Sequence, residues 1–205
     1  MAGLMDMFDA VLGDQVRNQM SQQIGASPQQ TGNAIQAALP MLLAGLHLNA
    51  QQPGGAASLL SALQKDHDGS VLSNLSGLIS GQTGGQAGNG SGILGHILGD
   101  KQDSAQGAVA QASGIGAPQA SQLMTMLAPI VMGALGKMQR SQNLDASGLQ
   151  SAIKDEHANA TQAQPGLMGF ATQLLGAGGT GGAPGEGGSG LEGMMKEIGG
   201  LLGKN

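Results

Sequence analysis

The stretch Ala38-Leu39-Pro40-Met41-Leu42-Leu43-Ala44-Gly45-Leu46 returns 89 residues later as Leu127-Ala128-Pro129-Ile130-Val131-Met132-Gly133-Ala134-Leu135. A second landmark, Leu59-Leu60-Ser61-Ala62-Leu63-Gln64-Lys65-Asp66-His67, returns after 90 residues as Leu149-Gln150-Ser151-Ala152-Ile153-Lys154-Asp155-Glu156-His157. Two landmarks in one order at nearly one separation point to a single helical unit used twice. Periodicity agrees. Ile35, Ala38, Leu39, Leu42, Leu43 and Leu46 form the stripe of one helix face, and Leu123, Met126, Leu127, Ile130, Val131, Ala134, Leu135 and Met138 repeat it. The first stripe predicts a central helix over 31–47, and the second its counterpart.

Other helices follow in each unit. The pattern predicts a first helix over 4–23, matched over 93–112, with Leu-Gly-Asp shared at 12–14 and 98–100. A third is predicted over 56–66 and 146–156, and apolar segments at 71–79 and 167–175 close the two halves. Ser27-Pro28-Gln29-Gln30 reads as an N-cap serine, a proline at the first helical position and a glutamine completing a capping box. Ala117 stands in the serine's place before Pro118, so the second start should be weaker by about 1 kcal/mol. Pro40 and Pro129 lie inside the central helices, where each removes a donor at a cost of about 3 kcal/mol and predicts a kink.

The core available to such a chain has almost no aromatics: two Phe and no Trp or Tyr among 205 residues. It must be built from Leu, Ile, Val, Met and Ala, which suits helices better than strands. The 38 glycines lie mostly in runs that do not pack. The expected architecture is therefore all-α, a duplicated three- or four-helix unit packed as one body with a Gly-rich tail. Its divisions are 1–80 and 93–175 for the two units, 81–92 for a linker, 176–190 for a flexible tether and 191–205 for an amphipathic tail segment.

Ile24-Gly25-Ala26-Ser27-Pro28, followed by Ala34, Ile35, Leu39-Pro40 and Leu46, resembles the signature of the YidB-like bacterial family of unknown function. Residues 115–135 resemble a second copy of that motif, and the likeness extends over most of 4–160. The resemblance implies an all-α fold and supplies no catalytic residues.

Charge and composition exclude several classes. Eight scattered basic residues against thirteen acids give a net charge of −5, without the cationic face that phosphate backbones require. Zero cysteines exclude disulfides and Cys-ligated metals. The start lacks a cationic segment, so no secretory signal is predicted. The longest apolar segments, 37–46 and 126–135, are half a bilayer span. A cytoplasmic location is expected, with contact to a membrane surface possible but no integral span.

His67 and His157 occupy matching positions beside carboxylates and together would supply N and O ligands to a metal. The alternative, which is preferred, is a histidine placed at the negative pole of a helix end. His47 and His96 read as surface residues. Asp66-His67-Asp68-Gly69-Ser70 resembles a calcium loop but has Leu75 where the bidentate glutamate belongs, and the glycine runs lack a Gly-Lys-Ser/Thr closure. No enzyme, cofactor or metal is therefore expected. Twelve methionines, several in the central helices, fit core filling better than a ligand groove.

The expected function is a non-catalytic interaction protein that self-associates or holds a partner helix in an apolar Met/Leu groove, without nucleic acid. Lipid or amphiphile binding at a membrane surface is the alternative. In the tail, Leu191, Met194, Met195, Ile198, Leu201 and Leu202 recur at helical spacing, and the last five are the candidate interaction residues. Their helix is weakened by Gly193, Gly199, Gly200 and Gly203, each costing up to about 1 kcal/mol, so it is expected to form only when docked.

Overall fold

The computed structural model describes residues 4–82 and 88–176, and within them it is all-helical. The first half contains α1 (Leu4–Val11), α2 (Asp14–Ile24), α3 (Pro28–Gln51), α4 (Gly55–Lys65) and, after a 3-10 turn at Ser70–Asn74, α5 (Leu75–Ile79). The second contains α6 (Gly90–Leu98), a 3-10 turn at Gly99–Lys101, α7 (Gln102–Ser113), α8 (Ala117–Gln142), α9 (Ala146–Ala163) and α10 (Pro165–Gly176).

Among the described residues each half therefore has five α-helices, not the three or four expected. The extra ones arise because the predicted helices 4–23 and 93–112 each break, and the break falls at the shared Leu-Gly-Asp. Gly13 is extended at φ −58°, ψ 172°, and Gly99 turns the chain with φ +56°, a conformation that favours glycine. Periodicity carried through both sites because Leu12 and Leu98, each just before its turn, are buried. The central helices are longer than their stripes, 24 and 26 residues, and run on through Pro40 and Pro129, which are themselves buried. α9 continues past its predicted end to Ala163, so His157 lies within a helix and not at its terminus.

The predicted capping box is present: Gln30 N donates to Ser27 Oγ at 3.2 Å and Ser27 N to Gln30 Oε1 at 3.2 Å. The second start is shifted by one residue, with Gly116 as the cap and Pro118 at the second helical position. Gly116 has no side chain to offer, but its N–H donates to Gln119 Oε1 at 2.8 Å, so half of the box is kept. The same two glutamines cross the molecule. Gln30 Nε2 donates to the Gly114 carbonyl at 3.0 Å, and Gln119 Nε2 donates to the carbonyls of Ile24 at 2.9 Å and Gly25 at 3.0 Å. Gly25 and Gly114 are the left-handed residues ending α2 and α7, so each box ties its helix start to a helix end in the other half.

Packing is intertwined in the same sense. α3 lies against α7, α9 and α10 of the second half, while α8 is covered by α1, α4 and the 3-10 turn of the first as well as by α6 and α7. One hydrophobic cluster runs through both halves. A small unit without aromatics buries too little surface alone, and interleaving solves this by making each central helix the core of its neighbour's outer helices. Met41, Met124, Met126, Met132 and Met138 are all buried in that cluster, as core filling predicts.

Candidate functional site

Two histidine clusters emerge, and neither pairs His67 with His157. His47, near the end of α3, stacks on His157 of α9 with ring centroids 4.3 Å apart and planes 16° from parallel. The half-buried pair is braced by Gln51, whose amide lies 2.6 Å from His47 Nε2, and by Thr172 Oγ1 at 3.4 Å from His157 Nε2. The sequence offered no partner for His47 because α9 reaches it only through the intertwined packing. Among the described residues, no three His, Cys, Asp or Glu are placed to hold a metal ion.

His67 follows the end of α4, as the helix-end reading expects, and it is buried at 6% exposure. Its position follows from glycines in α8. The His67 carbonyl oxygen lies so close over Gly136 that a Cβ there would clash with it, and Gly69 sits on the Gly133 carbonyl and Lys137. Arg140, one turn farther along the same face, donates to Asp68 O at 3.1 Å and Asp68 Oδ2 at 2.9 Å. The loop after α4 is thereby laid along α8, and the His67 ring is turned inward.

His67 lines a partly open cavity of about 380 Å³ bounded by the ends of α3 and α4, by α6 and by α8. Leu46, Leu59, Ala62, Ile93, Ile97 and Met132 supply its apolar wall. Asn49, Ser58 and the exposed His96 bring polar groups to the lining. α6 comes close to α3 because Gly45 has no side chain: a Cβ there would meet both Ile97 Cγ2 and Ile97 O at 2.8 Å. Asn49 locks the approach by donating to the carbonyls of His96 and Ile97, the latter at 3.2 Å. Inside this wall His67 Nδ1 is buried without a hydrogen-bond partner. Burial lowers the pKa of His67, against a smaller upward pull from the charge of Asp66, so the ring is neutral near pH 7.

Burial is also the main cause of lowered pKa values at His47, where the Lys154 charge adds to it, and at His157, where His47 adds to it. All three are thus harder to protonate folded than unfolded, where His titrates near 6.5. Stability contributed by these rings is complete above that value. Below it the unfolded chain takes up protons that the fold refuses, so stability should fall as pH drops from about 7 toward 5. The carboxylates Asp68 and Asp145, whose pKa values are lowered mainly by hydrogen bonds from Ser70 and Gly148, act at lower pH. Urea midpoints at pH 7.5 and 5.5 test this, and His47→Gln with His157→Gln should flatten the difference; an unchanged midpoint would refute it.

Leu175 and Gly176, at the end of α10, line a second cleft of about 430 Å³ together with Asp100 and Lys101. The cleft and the cavity share Asn49, Gln52, His96 and Ile97 as a common wall. The candidate interaction residues Met194, Met195, Ile198, Leu201 and Leu202 lie outside the described residues. No helix among the described residues is long and apolar enough to cross a membrane.

Residues 6–138 match the model of a family described as "Bacterial protein of unknown function (DUF937)". The chain belongs to the DUF937 family. The match begins in α1, takes in the cavity-forming parts of α3, α4, α6 and α8, and stops before α9 and α10. His67, His96 and Met132 thus fall inside the DUF937 region, whereas His157 falls beyond it. No curated protein and no solved structure matches the chain.

Proposed function

We propose that this DUF937 protein is a non-catalytic binding module that takes the apolar part of a small amphiphile into the cavity between α3, α4, α6 and α8. The observation that carries this reading is the cavity itself, about 380 Å³ with a wall made largely of Leu46, Leu59, Ala62, Ile93, Ile97 and Met132. Small-molecule sites have about this size and character, roughly 300–1,000 Å³ and mostly apolar with a few polar groups. Asn49, Ser58 and His96 in the lining would meet the polar end of such a ligand. A non-catalytic reading is supported by where the two carboxylates with lowered pKa values are used. Asp68 holds the loop onto Arg140 and Ser70, and Asp145 caps α9 through Gly148 N at 2.7 Å.

Binding of 11-(dansylamino)undecanoic acid to the full chain tests the reading. Saturable binding with a blue-shifted emission is expected, and Ala62→Leu, which fills part of the cavity, should weaken it about tenfold, the value of roughly 1.4 kcal/mol. Equal binding by Ala62→Leu, or none by either protein, would overturn it.

The two halves are best read as copies of one unit, in line with the YidB-like motif at 24–46 and 115–135. Support comes from the reciprocal bonds of Gln30 and Gln119, which sit 89 residues apart, as do the left-handed glycines 25 and 114. The acidic balance and the absence of a long apolar helix among the described residues favour a cytoplasmic site of action.

A further inference from the structure

We propose that the cavity takes a single-chain amphiphile whose head is zwitterionic, with the head lodged in the adjoining cleft, its anionic group toward Lys101 and its cationic group toward Asp100. The inference rests on the cavity as the binding site and adds the chemistry of the head.

Exposure along the wall gives the ligand its direction. Leu46, Ile93 and Met132 are buried, whereas Gln52, Ser58 and His96 are exposed, so the cavity has an apolar inner end and a polar mouth. An alkyl chain therefore enters tail first, because burying a charged head without a partner costs far more than burying the tail returns. The head stays at the mouth. Two mouth residues, Gln52 and His96, also line the cleft of about 430 Å³. Asn49 holds His96 at this shared rim by donating to its carbonyl and to that of Ile97. A head at the mouth thus faces the cleft.

Charge in the cleft gives the class of that head. α6 ends at Leu98, and the 3-10 turn Gly99–Lys101 then puts one anion, Asp100, and one cation, Lys101, on the cleft wall. The ion pairs among the described residues are Arg17 with Asp14 and Arg140 with Asp68, and both cleft charges stand outside them. A head of either single sign meets one attraction and one repulsion, which largely cancel. A head carrying both signs is attracted at both ends. Like-charge contact is costly enough to discriminate between these cases.

Calorimetric titration of the full chain with decyl-chain probes tests this. Decylphosphocholine is expected to bind about tenfold more tightly than decyl phosphate or decyltrimethylammonium. Asp100→Asn should remove its advantage over decyl phosphate, and Lys101→Gln its advantage over decyltrimethylammonium; neither side chain is buried, so both variants should keep the fold. Nε-decanoyl-lysine carries both charges on an amino-acid head, and the tighter of the two zwitterions tells that source from a phosphate ester. Equal affinity for all the probes, or a preference that survives both substitutions, overturns the head assignment; weakening of every probe by Ala62→Leu would then leave the cavity reading standing. If no probe binds, both fall.

Discussion

Gly136→Ala should be among the most damaging single-methyl changes in the protein, costing about 3 kcal/mol, the upper range for overpacking a well-filled interior. Its Cβ would be driven into the backbone carbonyl of His67 and would press on the backbone of Asp68. A flexible side chain could swing away, but this obstacle is main chain pinned by Arg140 on one side and α4 on the other. The loop would have to lift from α8, carrying His67 out of the cavity wall. Gly107→Ala in α7 is the contrasting change. Nothing lies within 4 Å of a Cβ there, so alanine should stabilise by about 0.5–1 kcal/mol through helix propensity. Urea denaturation of the two variants should therefore move the midpoint in opposite directions, and a shared sign would refute the close approach of loop and helix.

Leu42→Ala should lose about 2–5 kcal/mol, the transfer free energy of the side chain plus the cavity left behind. Leu42 is fully buried in α3, the helix against which α7, α9 and α10 all pack, so collapse from one side is resisted from the others. Val131→Ala in α8, at 2% exposure, should cost less because fewer atoms are removed. Since domains of this size are stable by only about 5–15 kcal/mol, the leucine change alone takes a large share. Because one cluster spans both halves, the loss should appear as a single cooperative transition at lower denaturant with an unchanged slope. Two separated transitions would show instead that the halves unfold independently.

Which features were readable in the sequence follows from how local their causes are. The central helices announced themselves because their stripes are periodic and their caps are short-range: Ser27 and Gln30 are three residues apart, and their hydrogen bonds need nothing beyond the first turn. The breaks at Gly13 and Gly99 were missed because a turn inside a continuing apolar pattern leaves the hydrophobic spacing almost untouched. The longer reach of α9, and with it the helical setting of His157, was missed because Lys154-Asp155-Glu156 reads as a polar end, whereas packing on α3 and α10 carries the helix onward.

For the candidate site the division is sharper. The sequence identified His67 as a residue worth weighing and placed it at a polar helix end, where it does lie, but gave no sign of its burial. Its burial comes from Gly136, 69 positions away, which lets the loop sink onto α8. No local pattern encodes that approach. Likewise the sequence listed His47 as solitary, and its ring acquired a partner 110 positions farther on because α9 crosses α3. Sequence alone determined that this chain is helical, built without aromatics around two proline-bearing stripes, because periodicity, composition and capping are properties of neighbours. Tertiary structure alone decided that the halves interleave, that Gln30 and Gln119 each bond across to the other half, and that an aliphatic cavity forms beside the buried His67, because those depend on the fit of surfaces remote in the chain.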